Sequence, residues 1–428
     1  MDLELVTIGT ELLLGFTIDT NSAFLGQALA AAGARITRRT SVPDDASAVG
    51  QAVSEALARS RFVITTGGLG PTRDDLTKHA VAALFGLPLD FHQDIWDDLA
   101  ARWSRMGRKI GDRNRGQAEV PRGALVLSNR WGTAPGLWIS GEPGEVILLP
   151  GVPTEMRGLV THEVVPRLAA RAGTRVIRSR TVRTTGVPES TLADRIGDIE
   201  DSLAPLTLAY LPGLEGVDLR LTAWDSDAEV AESALAGAAK RLVERLGDHA
   251  YGEENADLAE VLLDACKARG LTIALAESCT GGLVGARITA VPGSSAVFAG
   301  GMICYDDRLK RELGVPDRIL EEQGAVSEGT VRSMAEAARA RYGTSLSAGV
   351  SGIAGPDGGS EDKPVGTVWF AFADWRGVES MRYIFPGSRA DIRARAAQFA
   401  LLGLLRRARE PSAGSLQPSA LNRLRAEG

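Results

Sequence analysis

The sequence predicts an α/β protein assembled from two separate alternating series, with a small α+β unit between them. Three observations carry this reading. At 428 residues the chain is too long for one hydrophobic core. Short β-branched runs alternate twice with amphipathic helical patterns, the rhythm of parallel sheets. The strands of the first series end in Gly- or Asp-bearing loops, where open α/β sheets place their ligand crevice.

The first series opens with the strand LELVTIG (3–9) and the helix NSAFLGQALAAAG (21–33). A strand over 34–42, a helix over 45–58 and a buried-type strand RFVITTGG (61–68) follow. It closes on the strand and helix of VILLPGVPTEMRGLVTHEVVPRLAARAG, giving a first domain over 1–172. The next stretch has a different texture: VIRSRTVRTTG, a helix-like ESTLADRIGDI, two short strands (206–211 and 217–224) and a helix (227–246). It reads as a small connecting domain over 173–252. The second series, 253–408, runs through a helix (256–270), the strand LTIALAE, a helix from Thr280 and the strand AVFAGGMICY. A helix over 327–342, three further strands and a last helix (388–408) complete it. The Ser-, Pro- and Gly-rich tail, 409–428, is expected to be disordered.

Composition narrows the function class. Hydrophobic residues make up 44% and charged residues 24%, as in soluble globular proteins. No apolar run approaches a membrane span. The N-terminus lacks a secretory pattern, and three unpaired-looking cysteines fit a reducing cytoplasm. A net charge of −6 gives no strong nucleic-acid signal.

Three loops of the first series concentrate acids and glycines. GTELLLGFTIDTNS carries Glu11 and Asp19, VPDD carries Asp44 and Asp45, and TTGGLGPTRDDLT carries Gly67, Gly68, Gly70, Asp74 and Asp75. Glycines let the backbone present N–H groups to an anion, and a helix starting near Asp75 adds a positive dipole end. Carboxylates beside a phosphate cradle call for a divalent cation between them. As plain structure, the same aspartates would be helix caps and turn residues.

In the second series, LTIALAESCTGG places Ser278 on a strand-to-helix turn, with Cys279, Thr280 and the N–H groups of 279–282 around it. Unpaired N–H groups at a helix start can hold an oxyanion, although Ser278 could equally be only the helix cap. The four histidines, His79, His92, His162 and His249, all lie before residue 253, so no histidine of this series can activate Ser278. The base must then be one of Lys267, Lys310 and Lys363; Lys310, after the strand ending at Tyr305, can reach the same sheet end. A lysine acts as a base to a hydroxyl when burial or a neighbouring cation destabilises its ammonium, with Arg308 or Arg311 as the candidate cations. Tyr305 can pass a proton. Cys279 is the rival nucleophile, since a helix N-terminus favours a thiolate.

The motifs GTELLLG, DTNS, VPDD, GGLGPTRDD, NRGQA (114–118), GTAPG (132–136) and LPGVPTEM (149–156) resemble the N-terminal domain of the CinA family, itself similar to the MogA/MoeA molybdopterin-binding fold. The resemblance implies ligand contacts at Gly67, Gly68, Gly70, Thr72 and Asn114. It implies metal ligation by Asp44, Asp75 and Glu11, with a Mg2+- or Co2+-dependent, potassium-stimulated ADP-ribose pyrophosphatase activity. NRGQA lacks the lysine of the usual NRKQA. AESCTGG, the P-G-S-S of 292–295, YDDRLK, GAVSE, GVSGIAGPDGG, KPVGTV and GSRADIR resemble the C-terminal CinA domain, also called PncC, a nicotinamide-nucleotide amidohydrolase. This implies hydrolysis of nicotinamide mononucleotide to nicotinate mononucleotide and ammonia, without a metal. Ser278, Tyr305 and Lys310 take the catalytic places. Cys279, Thr280, Gly281, Gly282, Ser294, Ser351, Gly352, Gly355, Arg389 and Arg393 take the substrate-binding ones. Where the family commonly reads GDR this chain has GSR, one acid fewer. A homodimer is expected. The other readings are a molybdopterin cofactor module and a non-catalytic partner in competence or DNA-damage responses.

Overall fold

A computed structural model describes residues 1–105, 107–172 and 175–410; most of the expected disordered tail, 411–428, lies outside the described residues. The chain is α/β throughout, with two compact units: Met1–Ser179 with Thr222–Leu235, and Arg180–Leu221 with Ala236 onward.

The first unit holds strands β1 (Asp2–Ile8), β2 (Arg35–Val42), β3 (Phe62–Thr66), β4 (Leu89–Phe91), β5 (Glu119–Pro121), β6 (Leu125–Leu127), β7 (Gly136–Gly141) and β8 (Gly144–Leu149). Its six-stranded sheet has the order β2-β1-β3-β8-β7-β6, parallel from β2 to β8 and antiparallel beyond. β1 and β3 are almost wholly buried, as their continuous apolar runs require in a two-faced sheet. One face packs Leu3, Leu5, Phe62 and Ile64 on the helix Thr20–Ala31 and the 153–172 helical segment; the other packs Val6, Val63 and Val146 on the helix Ala46–Ser60. The antiparallel strands β6 and β7 and the small β4–β5 pair were not legible as periodic runs, because each is short and lies beside glycine and proline turns.

Strands β9 (Arg175–Thr184), β10 (Thr207–Pro212), β11 (Val217–Asp227) and β12 (Ala250–Glu253) form a sheet of order β10-β11-β9-β12. The helix Glu189–Glu200 follows β9 and the helix Ala228–Leu246 follows β11. This β-α-β-β-α-β chain order with its split sheet is the ferredoxin-like arrangement.

The second α/β series contains β13 (Ile273–Glu277), β14 (Phe298–Ile303), β15 (Leu346–Gly352), β16 (Thr367–Asp374) and β17 (Gly377–Ile384), in the order β14-β13-β15-β16-β17. β14, β13 and β15 are parallel; β16 and β17 are antiparallel. The chain leaves β13 to one side and returns from β14 to the other, so a topological switch point falls at the carboxyl ends of β13 and β15. Open sheets bind ligands there.

Candidate active site

The pleat of β13 decides which way the residues of LTIALAESCTGG face. Ile273 and Leu275 enter the core shared with the helices Leu258–Arg269, Leu283–Thr289 and Arg389–Arg409. Ala274 and Ala276 face the opposite layer, among Cys304, Leu313, Leu320 and Met334. Carrying the two-residue period forward turns Glu277 towards the first layer and Ser278 towards the second. Ser278 still continues the ladder, its N–H donating to the Val350 carbonyl at 2.9 Å. It then lines a cavity of about 230 Å³ with Cys279, Tyr305, Asp307, Lys310, Ser351 and Arg389.

Lys310 is 1% exposed, although it carries a charge-bearing amine. Its Nζ donates to Asp307 Oδ1 at 3.2 Å and to the Tyr305 carbonyl at 3.3 Å. The Tyr305 ring is open to solvent, and its hydroxyl accepts from Arg389 Nη2 at 2.8 Å. Arg389 Nη1 donates to the Gly355 carbonyl at 2.7 Å. Ser351 lies on the same face of β15 as Ser347 and donates to the Ala325 carbonyl at 2.7 Å; Gly352 also lines the cavity. Arg393, one helical turn beyond Arg389, donates to the Thr280 carbonyl at 2.8 Å. Among the described residues no group hydrogen-bonds the Ser278 hydroxyl, and the buried Thr280 hydroxyl also lacks a partner.

Several expectations change. The helix does not begin at Thr280: Gly281 and Gly282 adopt left-handed φ of 60° and 90°, and the helix starts at Leu283. Its N-terminus is occupied by the Glu277 carboxylate, which accepts from Gly282, Val284 and Gly285 N–H at 3.0, 3.1 and 2.9 Å. The Gly281 N–H is taken by the Ser278 carbonyl. Of the four N–H groups of 279–282, those of Cys279 and Thr280 are thus left without a carbonyl or carboxylate acceptor among the described residues, and both lie against the Cys279 thiol. Because a carboxylate already fills the helix end, Cys279 gains no thiolate stabilisation from it; burial pushes the thiol up to about 12. The charge nearest Lys310 is the Asp307 anion, while Arg311 pairs with Asp317. Ser294 sits in a short turn before β14, at the opposite end of the parallel strands from the cavity. The PGSS motif is thus a helix-to-strand connection in this chain, not a cavity wall.

Glu277 and Asp307 were missed as functional side chains. Both had a signal: the two-residue alternation of a buried strand aims Glu277 inward, and an Asp three residues before a Lys on one helix face is an ion-pair spacing.

In the first unit, the loops after β1, β2, β3 and β8 meet at the carboxyl ends of their strands. Gly67 and Gly68 have φ of 111° and 68°, and a Cβ on either would collide with the Ile8 carbonyl or the Thr77 hydroxyl. Asn21 Nδ2 donates to the Gly151 carbonyl at 2.7 Å and ties two of these loops together. Asp19 and Asp45 are helix caps. Asp75 caps nothing: it closes its own loop, accepting from Gly70 N–H at 2.6 Å, Thr72 N–H at 2.8 Å and the Thr72 hydroxyl at 2.6 Å. Asp44 accepts from Thr10 N–H at 2.8 Å and its hydroxyl at 3.0 Å. Glu11 lies exposed on the four-residue helix Thr10–Leu13 that follows β1. Among the described residues no three His, Cys, Asp or Glu side chains gather as a metal would require. Glu11, Asp44 and Asp75 do not fit a preorganised divalent-metal site, because Asp75 closes its own loop and Asp44 is tied to Thr10 on the segment after β1. Asn114 is buried in a turn whose neighbouring Gly116 carbonyl, with that of Glu119, accepts from Lys78. The buried Glu155 accepts from Asn129 at 2.6 Å and anchors the GTAPG loop, a contact sequence reasoning did not assign.

Together these features define a modular α/β protein in which a molybdopterin-binding-type domain precedes a second α/β domain with a serine- and lysine-lined cavity. Family models match accordingly: "Probable molybdopterin binding domain" over 4–170, "Damage-inducible protein CinA KH domain" over 179–252, and "CinA C-terminal domain" over 255–408. A CinA-like protein of Gemmatimonas aurantiaca is 51% identical over 97% of this chain and 98% of its own. Another, from Parasynechococcus marenigrum, is 45% identical over 90% and 93%. The crystal structure of a CinA protein from Thermoplasma acidophilum is 36% identical, covers 37% of this chain and 94% of its own, and has a TM-score of 0.35. The chain belongs to the CinA family.

Proposed function

We propose that the C-terminal domain hydrolyses the carboxamide of nicotinamide mononucleotide. The observation that carries this reading is the single cavity lined by Ser278, Lys310, Tyr305, Ser351 and Arg389. The Ser278 hydroxyl attacks the amide carbon while Lys310 takes its proton. The oxyanion forms against the N–H groups of Cys279 and Thr280. Tyr305, held by Arg389, relays a proton to the departing ammonia, and water then releases nicotinate mononucleotide from the acyl-serine. Arg389, on the cavity wall, and Arg393, one helical turn further on, bind the substrate phosphate on this reading. The test is ammonia release from nicotinamide mononucleotide by the wild-type chain, set against Ser278→Ala.

For the N-terminal unit we propose binding of a phosphate-bearing ligand at the loops around Gly67, Gly68, Gly70, Thr72 and Asn114, with ADP-ribose as the substrate the family resemblance favours. Its pyrophosphate cleavage would draw on a divalent ion that Glu11, Asp44 and Asp75 do not gather by themselves.

A further inference from the structure

We infer that the ferredoxin-like domain positions the catalytic turn of the deamidase domain, acting through Glu215 on Arg287. This inference rests on the deamidase reading of the cavity. The helix Leu283–Thr289, which follows the Ser278 turn, is only seven residues long, too short to hold itself. Its two ends are held by side chains from elsewhere. Glu277 fixes the first turn, and with it the backbone from Ser278 to Gly285.

Arg287 fixes the other end. Its side chain is 18% exposed and meets three acceptors on three different elements. Asp257 Oδ2, on the cap residue of the helix Leu258–Arg269, lies at 3.0 Å. Gln398, in the middle of the Arg389–Arg409 helix, accepts from Nη1. Glu215 Oε1, from the β10–β11 hairpin, lies at 3.4 Å. Glu215 is itself held in place. Its carbonyl accepts from the Thr185 hydroxyl at 2.6 Å, and its second oxygen accepts from Arg183 at 3.1 Å. The hairpin turn Gly213–Gly216, a G-x-x-G tetrad, is closed by the Gly213 N–H on the Gly216 carbonyl. Its one charged side chain therefore faces the protein and grips the helix behind the nucleophile. Arg183 keeps a second partner, Asp218 at 2.9 Å, and Arg287 keeps Asp257 and Gln398, so removing the Glu215 charge cuts the hairpin's hold on Arg287 while leaving both arginines paired.

The same Arg389–Arg409 helix that supplies Gln398 carries Arg389 and Arg393, which reach Tyr305 and Thr280. One guanidinium thus joins the hairpin, the nucleophile's helix and the helix of the Tyr305-holding arginine. Shifting the hairpin changes the register of the Ser278 turn relative to Tyr305, which alters turnover more than ground-state binding.

Full-length Glu215→Gln and Glu215→Asp variants test this, with kcat and KM for ammonia release from nicotinamide mononucleotide measured beside amide hydrogen exchange over Gly281–Ala286. Glu215→Gln should lower kcat by about two- to thirty-fold, the range seen for residues along a coupling path, with KM unchanged and faster exchange in that segment. Glu215→Asp, which keeps the charge, should restore most of both. A Glu215→Gln protein with wild-type kcat and wild-type exchange overturns the inference. If the wild-type chain releases no ammonia, the deamidase reading fails, and the exchange comparison still decides whether Glu215 holds the helix.

Discussion

Lys310 Nζ lies 3.2 Å from Asp307 Oδ1 inside the cavity that Ser278 lines, so the candidate base is held by an anion and a carbonyl before any substrate arrives. Among the described residues the Ser278 hydroxyl has no hydrogen-bond partner, and the Ser278–Lys310 contact is one that substrate must complete; such bonds commonly tighten only in the loaded site. Lys310→Arg keeps the charge but neither fits a position 1% exposed nor gives up a proton in the neutral range. It should lose about a hundredfold or more in kcat/KM for ammonia release. A variant that retains most of the rate would make Lys310 an electrostatic or phosphate-binding residue.

Ser278 and Cys279 separate cleanly by substitution. Ser278→Ala should reduce ammonia release by about a thousandfold or more. Cys279→Ser should retain activity within about tenfold, because a thiol pushed up to about 12 is protonated throughout the neutral range. Iodoacetamide at pH 8 should leave turnover intact. Equal loss in both variants would return the thiol to the role of nucleophile.

The extent to which this site was readable follows from periodicity. Ser278, Tyr305, Lys310, Ser351 and Arg389 come from four separate stretches, yet each sits at the carboxyl end of a strand or in the first turn of a helix, where motif and strand pattern agree. Ser294 was misplaced because a small-residue turn looks alike at either end of a sheet, and only the direction of the preceding helix decides. Two of the four N–H groups expected to hold an oxyanion are already engaged, Gly281 by the Ser278 carbonyl and Gly282 by Glu277, which strand parity aims into the helix end. In the first unit the acidic loops were legible, but which partner each acid takes was not. Asp75 and Thr72 meet through a loop closure that no helical or strand period encodes.

That closure yields a prediction for the N-terminal loops. Asp75→Asn replaces one acceptor oxygen by an amide donor, which then confronts either the Gly70 or the Thr72 N–H. Amide exchange at Gly70 and Thr72 should rise, while ammonia release is unchanged. If exchange there stays at the wild-type rate and metal-dependent ADP-ribose cleavage is lost, Asp75 acts on the metal and not on its loop.

Lys78 supplies a pH signature. Its burial lowers the ammonium from 10.5 to about 8. Below about pH 8 the lysine is charged in both folded and unfolded chains, and burying that charge costs stability. Between about 8 and 10.5 the folded form loses its proton while the unfolded form keeps it, so stability rises with pH, by about 3 kcal/mol at most. The Gly116 and Glu119 carbonyls that accept from Nζ reduce the figure. Denaturant unfolding of wild-type and Lys78→Met chains from pH 7 to 10.5 should show this rise only in the wild type. A pH-independent difference between the two would mean that Lys78 is not destabilised by burial.

On the proposed reading, the serine–lysine cavity deamidates a pyridine nucleotide using protein groups alone. The most direct measurement is ammonia release from nicotinamide mononucleotide by the full-length protein, with and without EDTA, beside Ser278→Ala. Release should be equal with and without the chelator and matched by nicotinate mononucleotide, with none detectable from Ser278→Ala. No release from the wild type, or undiminished release from Ser278→Ala, would contradict the deamidase reading.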